Sequence, residues 1–198
     1  MLGVFIIIGL GRIGVQDVET FSFETNALKS EEILLPDGSR VWLNDASSLR
    51  YTGTAEKRTL ILEGEGFFDL KTDSSSVFEV LAGNSVTKVL GTSFNIDARD
   101  ESSVNIRVAS GRVAFGGSSQ GLTPINLEQG EQAVLDEQEK ELLKLEDIGE
   151  NVSVWQTNKL MFDKVNLNQI AKELNEFASL KLTFDEAGIG ACLITMEV

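Results

Sequence analysis

A mainly β fold, an antiparallel roll or sandwich followed by a small α+β module, is predicted by three observations. Short β-branched or aromatic runs alternate with Gly, Asn, Asp and Ser clusters from Ile33 to Leu135, which is how strands and turns are written. Turns recur roughly every 8 to 15 residues, near the spacing of sandwiches, barrels and rolls. One segment alone, after Asn166, carries a strong helical period.

In chain order the first element is Met1 to Gly11, an apolar run closed by Arg12. It is shorter than the roughly 20 apolar residues a spanning helix needs, so residues 1–14 read as the remnant of a membrane anchor or as a stray apolar strand. A signal peptide is excluded, because the run has neither a basic start nor an A-x-A cleavage site. Gly9-Leu10-Gly11-Arg12-Ile13-Gly14 comes after a strand-like Val4 to Ile8 and matches the dinucleotide-binding loop, with Glu31 or Glu32 near the distance of a ribose-binding acid. An NAD-binding oxidoreductase fragment is therefore one alternative, but nearly all the chain after this loop reads as strand and turn, with no βαβ repeat to complete such a site.

Glu32 to Leu35 leads into Pro36-Asp37-Gly38-Ser39 and out through Arg40 to Asn44, a hairpin in which Pro presets the turn and Gly takes the positive φ. Thr59 to Leu62 and Phe67 to Leu70 read as two strands about the turn Glu63-Gly64-Glu65-Gly66. Val77–Leu81, Ser85–Leu90, Ser93–Ala98, Val104–Ala109 and Arg112–Phe115 supply further strands. Asp136 to Glu150 holds seven acids and two lysines and reads as a solvated connector. Asn166 then caps a helix with Gln169 at the reciprocal box position, and Leu167, Ile170, Ala171, Leu174, Phe177 and Ala178 form one apolar stripe. Leu160 to Phe162 precedes that helix, and Leu180 to Phe184 and Leu193 to Met196 come after it, each with strand alternation. The domains expected are thus an all-β unit over 15–148 and an α+β unit of βαββ type over 149–198, C-terminally truncated because its last strand has barely begun.

The chemistry is bounded by what is missing. There are no histidines among the 198 residues, which removes Ser-His-Asp and Cys-His catalysis, His-ligated zinc and the usual neutral-pH base. A net charge of −14 opposes nucleic-acid binding, which needs clustered Lys and Arg. The single cysteine, Cys192, has no internal disulfide partner, and in its apolar run it reads as a buried inert thiol. Glu63, Glu65 and Asp69, and likewise Asp97 and Asp100, lack the spacing of a calcium loop and read as solvated carboxylates. Lys88 and Lys164 carry no burial signal of a catalytic amine. No cofactor and no metal is expected, and no enzymatic turnover.

Gly91-Thr92 breaks the strand pattern between Val89-Leu90 and Ser93-Phe94. Gly there marks a β-bulge or bend. It also places the Thr92 hydroxyl beside the Gly91 carbonyl for an N to O acyl shift, in which the hydroxyl attacks its own peptide bond and water hydrolyses the resulting ester. A glycan-binding sandwich is a further alternative and calls for a solvent-facing row of aromatics; the candidates are Trp42, Tyr51 and Trp155, with Trp42 and Trp155 in strand-like runs that favour core packing.

Leu35-Pro36-Asp37-Gly38-Ser39-Arg40-Val41-Trp42-Leu43-Asn44, Leu62-Glu63-Gly64-Glu65-Gly66-Phe67-Phe68-Asp69-Leu70, Val89-Leu90-Gly91-Thr92-Ser93-Phe94-Asn95-Ile96 and Gly111-Arg112-Val113 together resemble the FecR family of transmembrane anti-sigma regulators. Leu127-Glu128-Gln129-Gly130-Glu131-Gln132-Ala133 continues the likeness. Trp155 to Phe162 and the helix after it are similar to the C-terminal domain of Bacteroidota-type members, a short secretin and TonB signalling fold. The family usually has Ala-Tyr where Gly66-Phe67 stands and Gly where Asn158 stands.

The resemblance implies a periplasmic sensor, anchored in the inner membrane near Met1 to Leu10. It would receive a signal from the N-terminal signalling domain of a TonB-dependent outer-membrane receptor loaded with iron chelate or glycan. It would control an extracytoplasmic-function sigma factor through a cytoplasmic segment that this chain lacks. It implies partner contact by strand pairing at an edge of the C-terminal sheet, for which Leu180, Leu182, Phe184, Leu193 and Thr195 are the candidates. Some members cut themselves at the Gly-Thr that corresponds to Gly91 and Thr92.

Overall fold

The computed structural model describes residues 19–26, 30–54, 57–73, 76–118, 122–136, 138, 140–145, 151–178 and 193–197. The chain divides into two units, Met1–Ile148 and Gly149–Val198. Met1 to Gly14, Leu180 to Phe184 and Cys192 lie outside the described residues. Among the described residues no helix is long and apolar enough to cross a membrane.

The first unit is a thirteen-stranded sheet of β1 (Glu19–Glu24), β2 (Glu31–Leu34), β3 (Arg40–Leu43), β4 (Ser48–Gly53), β5 (Lys57–Asp69), β6 (Val77–Ala82), β7 (Ser85–Val89), β8 (Ser93–Ala98), β9 (Ser103–Ser110), β10 (Arg112–Gly117), β11 (Ile125–Glu128), β12 (Gln132–Asp136) and β13 (Glu141–Leu145). It forms two leaves that share β5. One leaf runs β1-β4-β5-β6-β7-β10-β11, the other β2-β3-β5-β8-β9-β12-β13. Alternate residues of every long strand point inward, so Leu62, Phe78 and Phe115 of the first leaf and Val41, Phe68 and Ile106 of the second meet in one core.

Residues 63–66 form no turn: they lie within β5, which passes unbroken from one leaf to the other. Its first half pairs with β4 and β6 and its second half with β3 and β8. The reason is Gly64, at φ 96, where a Cβ would lie 2.9 Å from the Ser47 Cα. A glycine bends the strand there while the ladder continues on both sides. The bend doubles β5 back on itself. Arg58 near its start therefore reaches Asp37 in the β2–β3 turn, 2.7 Å away, and that turn leads into Arg40, the cross-strand partner of Asp69 at the end of β5.

Three further features differ from the sequence expectation. The β5–β6 pair is parallel, within a unit otherwise antiparallel. β1 and β4 are additional strands, paired from Glu19↔Gly53 to Glu24↔Ser48. The acidic stretch after Leu135 is no mere connector: Glu141–Leu145 pairs with β12, Leu142 packs on the core, and the Lys144 Nζ lies 2.7 Å from the Glu131 carboxylate. Among its described residues, Lys140, Glu141 and Lys144 are exposed, as expected.

The second unit contains α1 (Val154–Thr157), β14 (Met161–Asn166), α2 (Leu167–Ala178) and β15 (Leu193–Glu197). The predicted cap is present, with the Gln169 N–H donating to Asn166 Oδ1 at 3.0 Å. Ile170 packs with Leu160 and Phe162 in a small core flanked by Val165, Leu167, Leu174 and Ile194. α1 is not legible in the strand-like run around Trp155. It ends at Asn158 in the left-handed conformation, φ 53, which Asn tolerates where Gly is the commoner residue.

Candidate functional site

Three of the segments that carry the family resemblance become neighbours. β3, β5 and β8 are adjacent in the second leaf, and their residues 42, 65, 67 and 95 with the turn residue Asn44 gather on or beside its outer face, away from the core. Trp42 and Phe67 are cross-strand partners with ring centroids 5.8 Å apart at 54°, and both are half-buried. Trp42 thus lies outside the core, contrary to the packing its strand-like run predicts. Its strand alternates, and Val41 and Leu43 occupy the inward positions. Tyr51 is buried in the core and so joins no solvent-facing row, and Trp155 is half-buried on α1 of the second unit.

Glu65 is the residue that sequence reasoning places wrongly. It is 5% exposed, where composition predicts a solvated carboxylate. Asn95 Nδ2 donates to its Oε1 at 2.9 Å and Asn44 Nδ2 to its Oε2 at 2.7 Å, while the Arg99 guanidinium approaches Oε2 at 2.9 Å. Burial pushes its pKa up, and these partners offset only part of that. Asp97 goes the other way: burial opposes its charge, but two-point hydrogen bonding to Arg99, at 2.9 and 2.7 Å, outweighs it and lowers the pKa. Asp97 itself is half-buried, Glu63 and Asp69 are exposed, and Asp100 only caps a turn through Ser102. The signal available in the sequence is spacing: Glu65 sits out of phase with Phe68 and its core neighbours, on the face of β5 turned away from the core.

Arg58 is a second residue without a sequence signal of its own. Its guanidinium donates to Asp37 Oδ2 at 2.7 Å and to the Ser76 carbonyl at 2.6 Å, stands 3.5 Å from Asp73, and lies 3.8 Å over the Phe78 ring. This is a structural clamp across the doubled strand. Lys88 is exposed, its Nζ 3.6 Å from Glu79; Lys164 is exposed at φ 52 on β14. Among the described residues no group of three His, Cys, Asp or Glu side chains is placed to hold a metal.

Gly91 and Thr92 lie between β7 of one leaf and β8 of the other, so this break is a crossover between leaves, with a register shift beside it between Ser93 and Phe94. Gly91 has φ 155, and a Cβ would fall 2.3 Å from the Thr72 Cα. Thr92 is 3% exposed and its hydroxyl faces the Arg112 carbonyl at 3.4 Å. Of the partner-binding candidates, Leu193 is 67% exposed at the start of β15. Thr195 is exposed, but its hydroxyl donates to Asp163 and accepts from the Lys164 N–H, which closes the irregular stretch of β14 between Phe162 and Val165.

Comparison with known proteins adds an independent line. Residues 22–114 match the family described as FecR protein. Two crystal structures of a "putative anti-sigma factor" from Parabacteroides distasonis are similar to the chain. The 1.65 Å structure has TM-score 0.64 and 26% identity, covering 89% of this chain and 84% of that one. The 2.50 Å structure has TM-score 0.65 and 25% identity, covering 90% and 84%. No curated protein matches.

Proposed function

We propose that this chain, whose residues 22–114 belong to the FecR protein family, is the sensing part of an anti-sigma regulator and acts by protein contact. One observation carries the reading. The likeness to the anti-sigma structures extends over 89% of the chain, far past the segment the family match covers. In the finer form of the proposal the chain is periplasmic and anchored in the inner membrane. It receives its signal from the N-terminal signalling domain of a TonB-dependent receptor, and it passes that signal on as a shift in population between a protected and a protease-accessible state.

Contact is assigned to the edge of the C-terminal sheet. Exposed Leu193 supports it, because an apolar side chain on a strand whose one pairing among the described residues is with β14 suits β-addition. Binding of a purified receptor signalling domain, measured by calorimetry, tests the assignment. Leu193→Lys is expected to weaken binding at least tenfold. Unchanged affinity in that variant overturns the assigned contact, and no binding by the parent chain overturns the receptor reading. Altered transcription from the sigma-dependent promoter on deletion of the gene tests the sigma-regulating role separately.

Self-cleavage at Gly91-Thr92 is part of the proposal. The left-sided φ of Gly91 and its packing against Thr72 support a strained peptide bond next to a hydroxyl. Attack of Thr92 Oγ1 on the Gly91 carbonyl carbon would form an ester and free the Thr92 amine. Water then cleaves the ester, so the fragment masses sum to the chain plus one water. Intact mass under denaturing conditions reads this directly. Thr92→Ser is expected to cut and Thr92→Ala not to; a single uncut parent overturns the step.

A further inference from the structure

The outer face of the second leaf carries a row that lies outside the contact assigned above to the C-terminal sheet. Cross-strand partners run Glu32, Trp42, Phe67, Asn95, Arg107 and Gln132 across five strand pairings. Two aromatic rings stand at its middle, and planar polar groups stand on either side. The Arg107 guanidinium makes no hydrogen bond or ion pair among the described residues. Its electrostatic neighbour Asp97 is already held at two points by Arg99. Arg107 is thus a half-buried cation whose nearby carboxylate is engaged elsewhere, two strands from Phe67, or about 10 Å at ordinary strand spacing.

We propose that this row binds an acidic oligosaccharide. A sugar ring lies on the Trp42–Phe67 pair, and the carboxylate of a neighbouring ring is held by Arg107. Each part has its reason. A flat aromatic on an open sheet offers area at low entropic cost. A guanidinium takes a carboxylate at two points. The separation of the two suits linked rings rather than a single small anion. Gln132 beyond Arg107 supplies an amide for hydroxyl groups. The chain's charge of −14 opposes anions at long range, but at about 0.15 M salt the screening length is about 8 Å, so the local cation decides at contact. The inference stands apart from sigma regulation and asks only whether the folded chain binds.

The test is a fluorescence titration of the full chain carrying Trp155→Phe, which leaves Trp42 as the sole indole of the two in the sequence. The probes are tetragalacturonate and, as neutral control, maltotetraose. A saturable change with tetragalacturonate, at least tenfold weaker in Arg107→Gln, supports the site. Arg107→Gln removes a charge without touching the core, so its circular dichroism should match the parent; if it is unfolded, chemical-shift changes confined to Trp42, Phe67 and Arg107 in the parent serve instead. No saturable response, shifts elsewhere, or equal response to maltotetraose overturns the proposal.

Discussion

Removing Asp37 leaves the Arg58 guanidinium, its side chain 7% exposed, with only the 3.5 Å approach of Asp73 as counter-charge, and removing Arg58 strips Asp37, 22% exposed, of its 2.7 Å partner. Breaking such a pair typically costs about 3–5 kcal/mol, while replacing both members by uncharged groups costs much less. Asp37→Asn is therefore expected to lower the urea midpoint markedly, and Asp37→Asn combined with Arg58→Met to recover much of the loss; a double variant as unstable as the sum of the singles contradicts the pairing. Glu65 makes a pH prediction. Its folded pKa is raised above the ordinary 4.5 by burial, so the folded state holds that proton more tightly than the unfolded one. The stability this contributes is present below the unfolded pKa and is lost as pH rises through the folded value. Relative to the parent, Glu65→Gln should gain urea resistance between pH 4 and pH 7. A carbon-13 titration should place the Glu65 carboxyl midpoint above 4.5 and that of Asp97 below 3.8.

At the level of elements, the hairpin around Pro36 and the helix after Asn166 obey local rules and are legible for that reason. In the hairpin the Gly38 N–H donates to the Leu35 carbonyl at 2.8 Å and Asp37 Oδ1 accepts from the Ser39 N–H at 2.9 Å, both within five residues. In the helix the cap spans three. Asn166→Ala is accordingly expected to cost about 1 kcal/mol, read as a lower thermal midpoint in far-ultraviolet dichroism. β5 shows the opposite case. Glu63-Gly64-Glu65-Gly66 has the composition of a turn, yet the pairing of β4 and β6 on one half and β3 and β8 on the other turns it into a bent continuous strand. Gly91 likewise answers to distant chain, the Thr72 backbone, so Gly91→Ala should destabilise by about 1–3 kcal/mol, measured by denaturant unfolding in a Thr92→Ala background that cannot cut.

Across the whole molecule, pairings cross the Gly91-Thr92 bond on both leaves: β5 with β8, and β7 with β10. Strands on either side of it also share one core. A break there would leave the unit joined by ladder and packing. Fragments 1–91 and 92–198, produced together, are expected to copurify and elute as one species, separating only in denaturant; independent elution would mean the interleaving is too weak to hold them.

Period, turn residues and composition are local quantities, and for that reason the residues alone were enough to specify a β protein with a terminal α+β module and no histidine chemistry. They also sufficed for the family likeness, which short motifs carry. Where those motifs meet is a matter of folding. Strand pairing brings Trp42, Glu65, Phe67 and Asn95 together from three strands, and a carboxylate amid exposed-looking acids becomes buried because Asn44, Asn95 and Arg99 arrive from elsewhere in the chain. Burial, charge pairing and the bend of β5 depend on contacts between residues far apart in sequence, and such contacts exist only once the two leaves have closed on their common core.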